Sequence, residues 1–176
     1  LSLFPEMFNS FFEYFDHKKG DWKKKKIFCT CRNIRDFAEG KHKITDDKLY
    51  GGGCGMVMKP EPIAKAIRSV KKDNPSFKTV LLTPQGKTFN QSLAHKFAIL
   101  NGLIFVCGRY EGIDARVCNK LIDYEVSIGD YIITGGELAA MAVIDAISRL
   151  IPGVLGGDES AQKESFEDKL LEHAQY

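Results

Sequence analysis

Lys78-Thr79-Val80-Leu81-Leu82-Thr83-Pro84-Gln85-Gly86 is a short apolar run that ends on a Pro- and Gly-containing loop, and its reading decides the fold class. The pattern returns twice. Leu103 to Cys107 runs into Gly108-Arg109-Tyr110-Glu111-Gly112, and Asp123 to Ser127 runs into Ile128-Gly129-Asp130-Tyr131 and on to Gly135-Gly136. A near-continuous apolar run of this length, bounded by turn residues, reads as a strand buried on both faces, which is the environment of a parallel sheet. Helix-like segments fall between the runs. Pro60 to Lys72 places Ile63, Ala64, Ile67 and Val70 at helical spacing, and Asn74-Pro75 breaks it. Asn90 to Leu100 opens on an Asn cap and closes at Asn101-Gly102. Ile113 to Leu121 and the long apolar stretch Glu137 to Leu150 read as two more helices. Strand–helix alternation of this kind predicts an α/β fold with a mainly parallel sheet. A further strand is expected over Lys26 to Thr30, and a last helix over Ser165 to Leu171.

In open parallel sheets ligands bind outside the carboxyl ends of the strands. Three Gly-containing loops at adjacent strand ends therefore predict one shared pocket, because glycine lets the backbone approach a ligand closely. Arg109, Glu111, Asp114, Arg116, Asp130 and Glu137 cluster near these loops, and Arg149 precedes Pro152-Gly153. Carboxylates beside a pocket suit a cationic ligand; ordinary surface ion pairing gives the same composition. Tyr50-Gly51-Gly52-Gly53-Cys54-Gly55 is a fourth Gly-rich stretch. No Gly-Lys-Ser/Thr follows it, which argues against a phosphate-cradling loop of the nucleotide-hydrolase kind.

The remaining composition sets bounds. A chain of 176 residues suffices for one sizeable core, and no apolar run approaches the length of a membrane span. The formal net charge of +2 is too small to argue for nucleic acid, although Lys18, Lys19, Lys23, Lys24, Lys25 and Lys26 form a local basic cluster. Five cysteines and four scattered histidines show no zinc-ligand spacing, so no metal site is expected. Reduced thiols in a cytoplasmic protein are the simplest account of an odd cysteine count.

Several stretches taken together resemble a known family. They are Leu3-Phe4-Pro5-Glu6-Met7-Phe8, Tyr50-Gly51-Gly52-Gly53, Pro84-Gln85-Gly86 and Val106-Cys107-Gly108-Arg109-Tyr110-Glu111-Gly112-Ile113-Asp114. Ser127-Ile128-Gly129-Asp130-Tyr131, Gly135-Gly136-Glu137-Leu138 and Ile151-Pro152-Gly153-Val154-Leu155-Gly156 complete the set. In order and spacing they resemble the bacterial tRNA (guanine-N1)-methyltransferases, the TrmD family of the SPOUT class. The resemblance implies a deep trefoil knot in the α/β fold, built by the Gly-rich loops. It implies S-adenosyl-L-methionine as methyl donor, guanosine 37 of tRNA as acceptor, and a homodimer with each active site at the subunit interface. It divides the chain into a knotted donor-binding domain, residues 1–160, and the start of a linker, residues 161–176, toward a C-terminal tRNA-binding domain outside this chain.

By the same resemblance, Leu82, Pro84, Gly108, Tyr110, Glu111, Ile128, Gly129, Asp130, Tyr131, Ile132, Ile133, Gly135 and Leu138 are the expected donor-binding residues. Arg149 takes the place of the family's catalytic arginine. Glu164, in Glu164-Ser165-Phe166, stands where the family has an aspartate as general base, with Asp168 as a nearby alternative. A second departure is Ala139, where the family usually has proline. Three rival readings carry distinct tests: a nucleotide phosphate hydrolase, a non-catalytic RNA-binding protein, and a knotted RNA methyltransferase with another target nucleotide. Whether a divalent ion assists is left open by the residues.

Overall fold

The computed structural model describes residues 1–17, 27–154, 165–166 and 171. After a 3₁₀ turn at Pro5–Phe8 the chain forms α1 (Asn9–His17), a second 3₁₀ turn at Ile34–Phe37, β1 (Asp46–Lys48) and β2 (Met56–Met58). It continues through α2 (Pro60–Asp73), β3 (Lys78–Thr88), α3 (Gln91–Ala98), β4 (Leu103–Cys107), α4 (Ala115–Leu121), β5 (Tyr124–Ser127) and α5 (Gly136–Arg149). β1 and β2 pair antiparallel. The other three strands form one parallel sheet in the order β4-β3-β5, with the opening stretch of the sequence at its centre.

The helices cover both faces of that sheet because side chains alternate along a strand. Leu81 packs with Ile63 and Ile67 of α2, Val106 of β4 and Val117 of α4. Its neighbours Val80 and Leu82 pack the opposite way, with Ala94 and Phe97 of α3, Val126 of β5 and Ala139, Val143 and Ile147 of α5. The long apolar helix expected from the sequence is therefore one wall of the second layer. In α2 the buried positions are Pro62, Ile63, Ala66 and Ile67. The Asn90 cap acts as read, its side chain accepting from Leu93 N at 2.9 Å. The helix expected from Ile113 starts two residues later, at Ala115, because the Asp114 side chain caps it, accepting from Arg116 N at 2.9 Å. Among the described residues no helix is long and apolar enough to cross a membrane.

One expectation changes. Ile27 to Thr30 have no regular secondary structure; Phe28 is 84% exposed, so this run has no buried face to favour a strand, and Lys26 lies outside the described residues. Leu1 fills the edge instead, its N donating to Phe105 O at 2.7 Å and its O accepting from Cys107 N at 3.0 Å. The expected helix over Ser165 to Leu171 lies mostly outside the described residues; Ser165 and Phe166 form a turn. The lysine cluster at 18–26 also lies outside them.

Asp123 joins the starts of β3 and β5. Its carboxylate accepts from Thr79 N at 2.8 Å, Lys71 Nζ at 3.2 Å and Lys78 Nζ at 3.4 Å. Burial pushes the Asp123 carboxyl up, but the Thr79 amide and the two lysines outweigh burial and hold it below the usual carboxylate range. A carboxyl depressed in the folded state stabilises above its unfolded value of about 3.9, and that contribution is lost as pH falls through the folded value. Asp123→Asn is accordingly expected to lower the thermal midpoint at pH 7, with the gap from the parent closing as the pH falls below that of an ordinary carboxylate. Thermal unfolding across pH checks this.

Candidate functional site

The site starts with an irregularity in β3. Leu82 and Lys87 both pair with Val126, so Thr83 to Gly86 leave the ladder as a four-residue excursion before β3 resumes at Lys87 and Thr88. Where a plain loop was expected after Thr83, the strand instead continues past the excursion. The Thr83 hydroxyl donates to the side-chain amide oxygen of Gln85 across it. Gly86 returns the chain against β5 so closely that a Cβ there would lie 2.3 Å from Val126 N and 2.5 Å from Glu125 C. Gly86→Ala is expected to cost about 1–3 kcal/mol of stability, because the atom it meets is backbone and the core is already filled. Urea unfolding measures it; a parent-like midpoint would show that the excursion can move.

The second loop follows β4 and is docked on β2. Glu111 N donates to Met56 O at 3.0 Å, Met58 N to Gly112 O at 2.9 Å, and Asp114 N to Met58 O at 3.1 Å. Within it Tyr110 adopts φ +59°, a left-handed conformation that costs a non-glycine residue on the order of 1–3 kcal/mol and persists only where the surroundings impose it. The third loop follows β5. Ser127 Oγ donates to Gly129 O at 3.1 Å and accepts from Gly129 N at 3.2 Å, and Gly129 takes φ +144°, a conformation glycine adopts without strain. The third loop closes onto the second, with Gly136 N donating to Gly108 O at 3.0 Å.

The excursion within β3 and the loops that follow β4 and β5 meet around a cleft of ≈ 410 Å³. Small-molecule sites span roughly 300–1,000 Å³ and combine apolar walls with a few polar groups. Of the residues expected from the sequence, Leu82, Pro84, Gly108, Tyr110, Glu111, Ile128, Gly129, Tyr131, Ile132, Ile133 and Gly135 line this cleft. Two do not. Asp130 is exposed and outside the lining. Leu138 is 56% exposed and also outside it; Ala139 lines the wall in its place. The cause is helical spacing: α5 turns Ala139, Val143 and Ile147 toward the sheet, which leaves Leu138 off that face. Thr83, Gln85 and Thr134 also line the cleft and were not singled out individually. The first two sit inside the quoted Thr83-Pro84-Gln85-Gly86 loop, so the signal was present.

The polar cluster sorts into separate arrangements. Glu111 lies at the cleft. Asp114 and Arg116 engage each other at the start of α4, with Arg116 Nε and an Nη at 2.9 and 2.8 Å from the carboxylate, and that hydrogen bonding holds the Asp114 carboxyl below its ordinary range. Arg109 and Glu137 form an inner pair beneath the loops, Nε to Oε2 3.0 Å. Arg149 is the last residue of α5, exposed, and not part of the cleft lining. Glu164 and Asp168 lie outside the described residues.

A parallel α/β sheet with a cleft at its carboxyl edge, built from Gly-containing loops, is the setting in which α/β proteins hold small molecules. Comparison with known proteins names the class. The family model of tRNA (Guanine-1)-methyltransferase TrmD matches residues 1–176. A tRNA (guanine-N(1)-)-methyltransferase of Carboxydothermus hydrogenoformans is 54% identical over 176 residues, covering 100% of this chain and 68% of that protein. Its counterpart in Syntrophotalea carbinolica is 52% identical over 177 residues, covering 100% and 70%. That of Dictyoglomus turgidum is 49% identical over 176 residues, with the same 100% and 70%. The chain belongs to the tRNA (guanine-1)-methyltransferase family, TrmD.

Proposed function

We propose that the protein transfers a methyl group from S-adenosyl-L-methionine to N1 of guanosine 37 in tRNA. The observation that carries this reading is the convergence of the three family-matching loops on one cleft, within a chain that matches the family over residues 1–176.

The cleft suits the donor. Leu82, Ile128, Ile133 and Ala139 offer apolar walls to an adenine ring, and the Gly108, Gly129 and Gly135 backbones can read its edge. Glu111 at the cleft favours a cationic ligand. When bound, the donor supplies the methyl group as an electrophile. The protein's own task is then at guanine. N1 carries a proton at neutral pH and must lose it to attack, and negative charge grows on O6 as it does. Glu164 takes that proton. Arg149 faces O6 as a fixed cation. The attack is in line, with no covalent enzyme intermediate, and the target base is splayed out of the anticodon loop to reach the cleft.

The fuller reading includes a trefoil knot threaded by these loops, a donor-binding domain over residues 1–160, and a linker from 161 toward a tRNA-gripping domain. It also includes a cytoplasmic homodimer whose second copy completes each site. Exposed apolar side chains in the cleft lining and next to it support the second copy: Tyr131 is 56% exposed, Ile132 81% and Leu138 56%. Isothermal titration of the full-length protein with S-adenosyl-L-methionine tests the donor assignment, and light scattering of the same sample tests the dimer. Saturable binding and a dimer mass are expected. Absence of binding overturns the donor assignment, and a monomer mass overturns the shared site.

A further inference from the structure

Glu137 is fully buried, in the first turn of α5, and the transfer reaction as described does not use it. Its carboxylate accepts a hydrogen bond from Ser2 Oγ on Oε1 at 2.6 Å, while Oε2 faces Arg109 Nε at 3.0 Å. The guanidinium is 4.5 Å above the Phe4 ring and reaches Met7 Sδ at 3.1 Å. The Arg109 N–H misses Oε2, so the contact is an ion pair without a directed hydrogen bond. Such a pair is a poor device for stability, since an apolar pair of the same volume serves as well or better. Its place is informative. A Cβ at Gly135 would lie 2.2 Å from Arg109 Nε and 2.6 Å from Glu137 Oε2, so the Gly135 backbone rests directly on the pair. Gly135 and Arg109 both line the cleft.

We propose that Glu137 is a positioning residue for the methyl donor. It clamps the Gly108–Gly112 loop, through Arg109, against the Gly135–Gly136 turn, and anchors both to the N-terminal stretch through Ser2. The proposal rests on the donor assignment above. Neutralising Glu137 leaves the buried Nε of the largely enclosed Arg109 guanidinium without its counter-charge, and the loop carrying Tyr110 and Glu111 must shift. Donor affinity depends on that loop, whereas the later proton transfer at guanine does not.

The test uses the full-length protein, its Glu137→Gln, Glu137→Asp and Ser2→Ala variants, titration with S-adenosyl-L-methionine, and steady-state methyl transfer to tRNA. Glu137→Gln is expected to raise the donor Kd and the donor KM by about tenfold, a change of roughly 1.4 kcal/mol, while kcat at saturating donor and the KM for tRNA stay near the parent's. Glu137→Asp is expected to recover part of the affinity because the charge is kept. Glu137→Gln that binds donor like the parent, whatever its thermal midpoint, overturns the proposal; so does a variant that loses kcat and both KM values together. If Glu137→Gln does not fold, Ser2→Ala decides: weaker donor binding supports the clamp and parent-like binding overturns it. A parent that binds no donor overturns the donor assignment itself, a result distinct from a variant that binds normally.

Discussion

Glu164→Gln is expected to slow methyl transfer by roughly 10²–10⁴-fold, the span a positioned general base contributes. The amide keeps the size and polarity of the side chain and removes its ability to take the N1 proton. The donor should still bind, because the cleft residues are untouched. Single-turnover rates at saturating donor measure the effect. The longer carboxylate adds a second expectation. The family resemblance puts Glu164 where an aspartate is expected, and a misplacement of about 1 Å can cost roughly a hundredfold. Glu164→Asp is therefore expected to match or exceed the parent. A Glu164→Gln variant as fast as the parent moves the base elsewhere, with Asp168 the next residue to test.

Arg149→Ala is expected to lower kcat by roughly 10²–10³-fold, the loss seen when one fixed donor to a developing oxyanion is removed. Arg149 ends α5 and lies outside the cleft lining, so its removal should leave the donor Kd unchanged. Arg149→Lys keeps the charge and loses the planar fork; an intermediate rate is expected, since the two side chains present their donors differently. A donor affinity that falls with the rate would place Arg149 in donor binding. An unchanged kcat would remove it from the reaction.

The fold was legible in the sequence where packing and pattern agree. Val80, Leu81 and Leu82 form a buried central strand because helices cover both faces, so the run reads as continuous apolar residues. Asn90 announced its helix through the side chain that caps it, whereas the same role of Asp114 is hidden among the polar residues of its loop. The excursion at Thr83 to Gly86 was read as the end of the strand. Nothing in local composition signals that Lys87 and Thr88 return to pair with β5, because that pairing depends on a residue far along the chain. The short β1–β2 pair escaped for a related reason: Asp46-Asp47-Lys48 has no apolar alternation. At the site, the loops were legible from their glycines and their positions after apolar runs. The choice between Leu138 and Ala139 as a cleft wall was not, since it turns on about 100° of helix rotation. Glu137 read as one more carboxylate beside the loops, and only its burial under Gly135 separates it from the exposed Asp130.

The central claim is the identity of the acceptor atom. The most direct measurement is methyl transfer from labelled S-adenosyl-L-methionine to two transcripts of one tRNA, carrying guanosine or adenosine at position 37, followed by nucleoside analysis of the product. The account predicts 1-methylguanosine from the first transcript and no label in the second. Label at another nucleotide, or equal labelling of both transcripts, would contradict it.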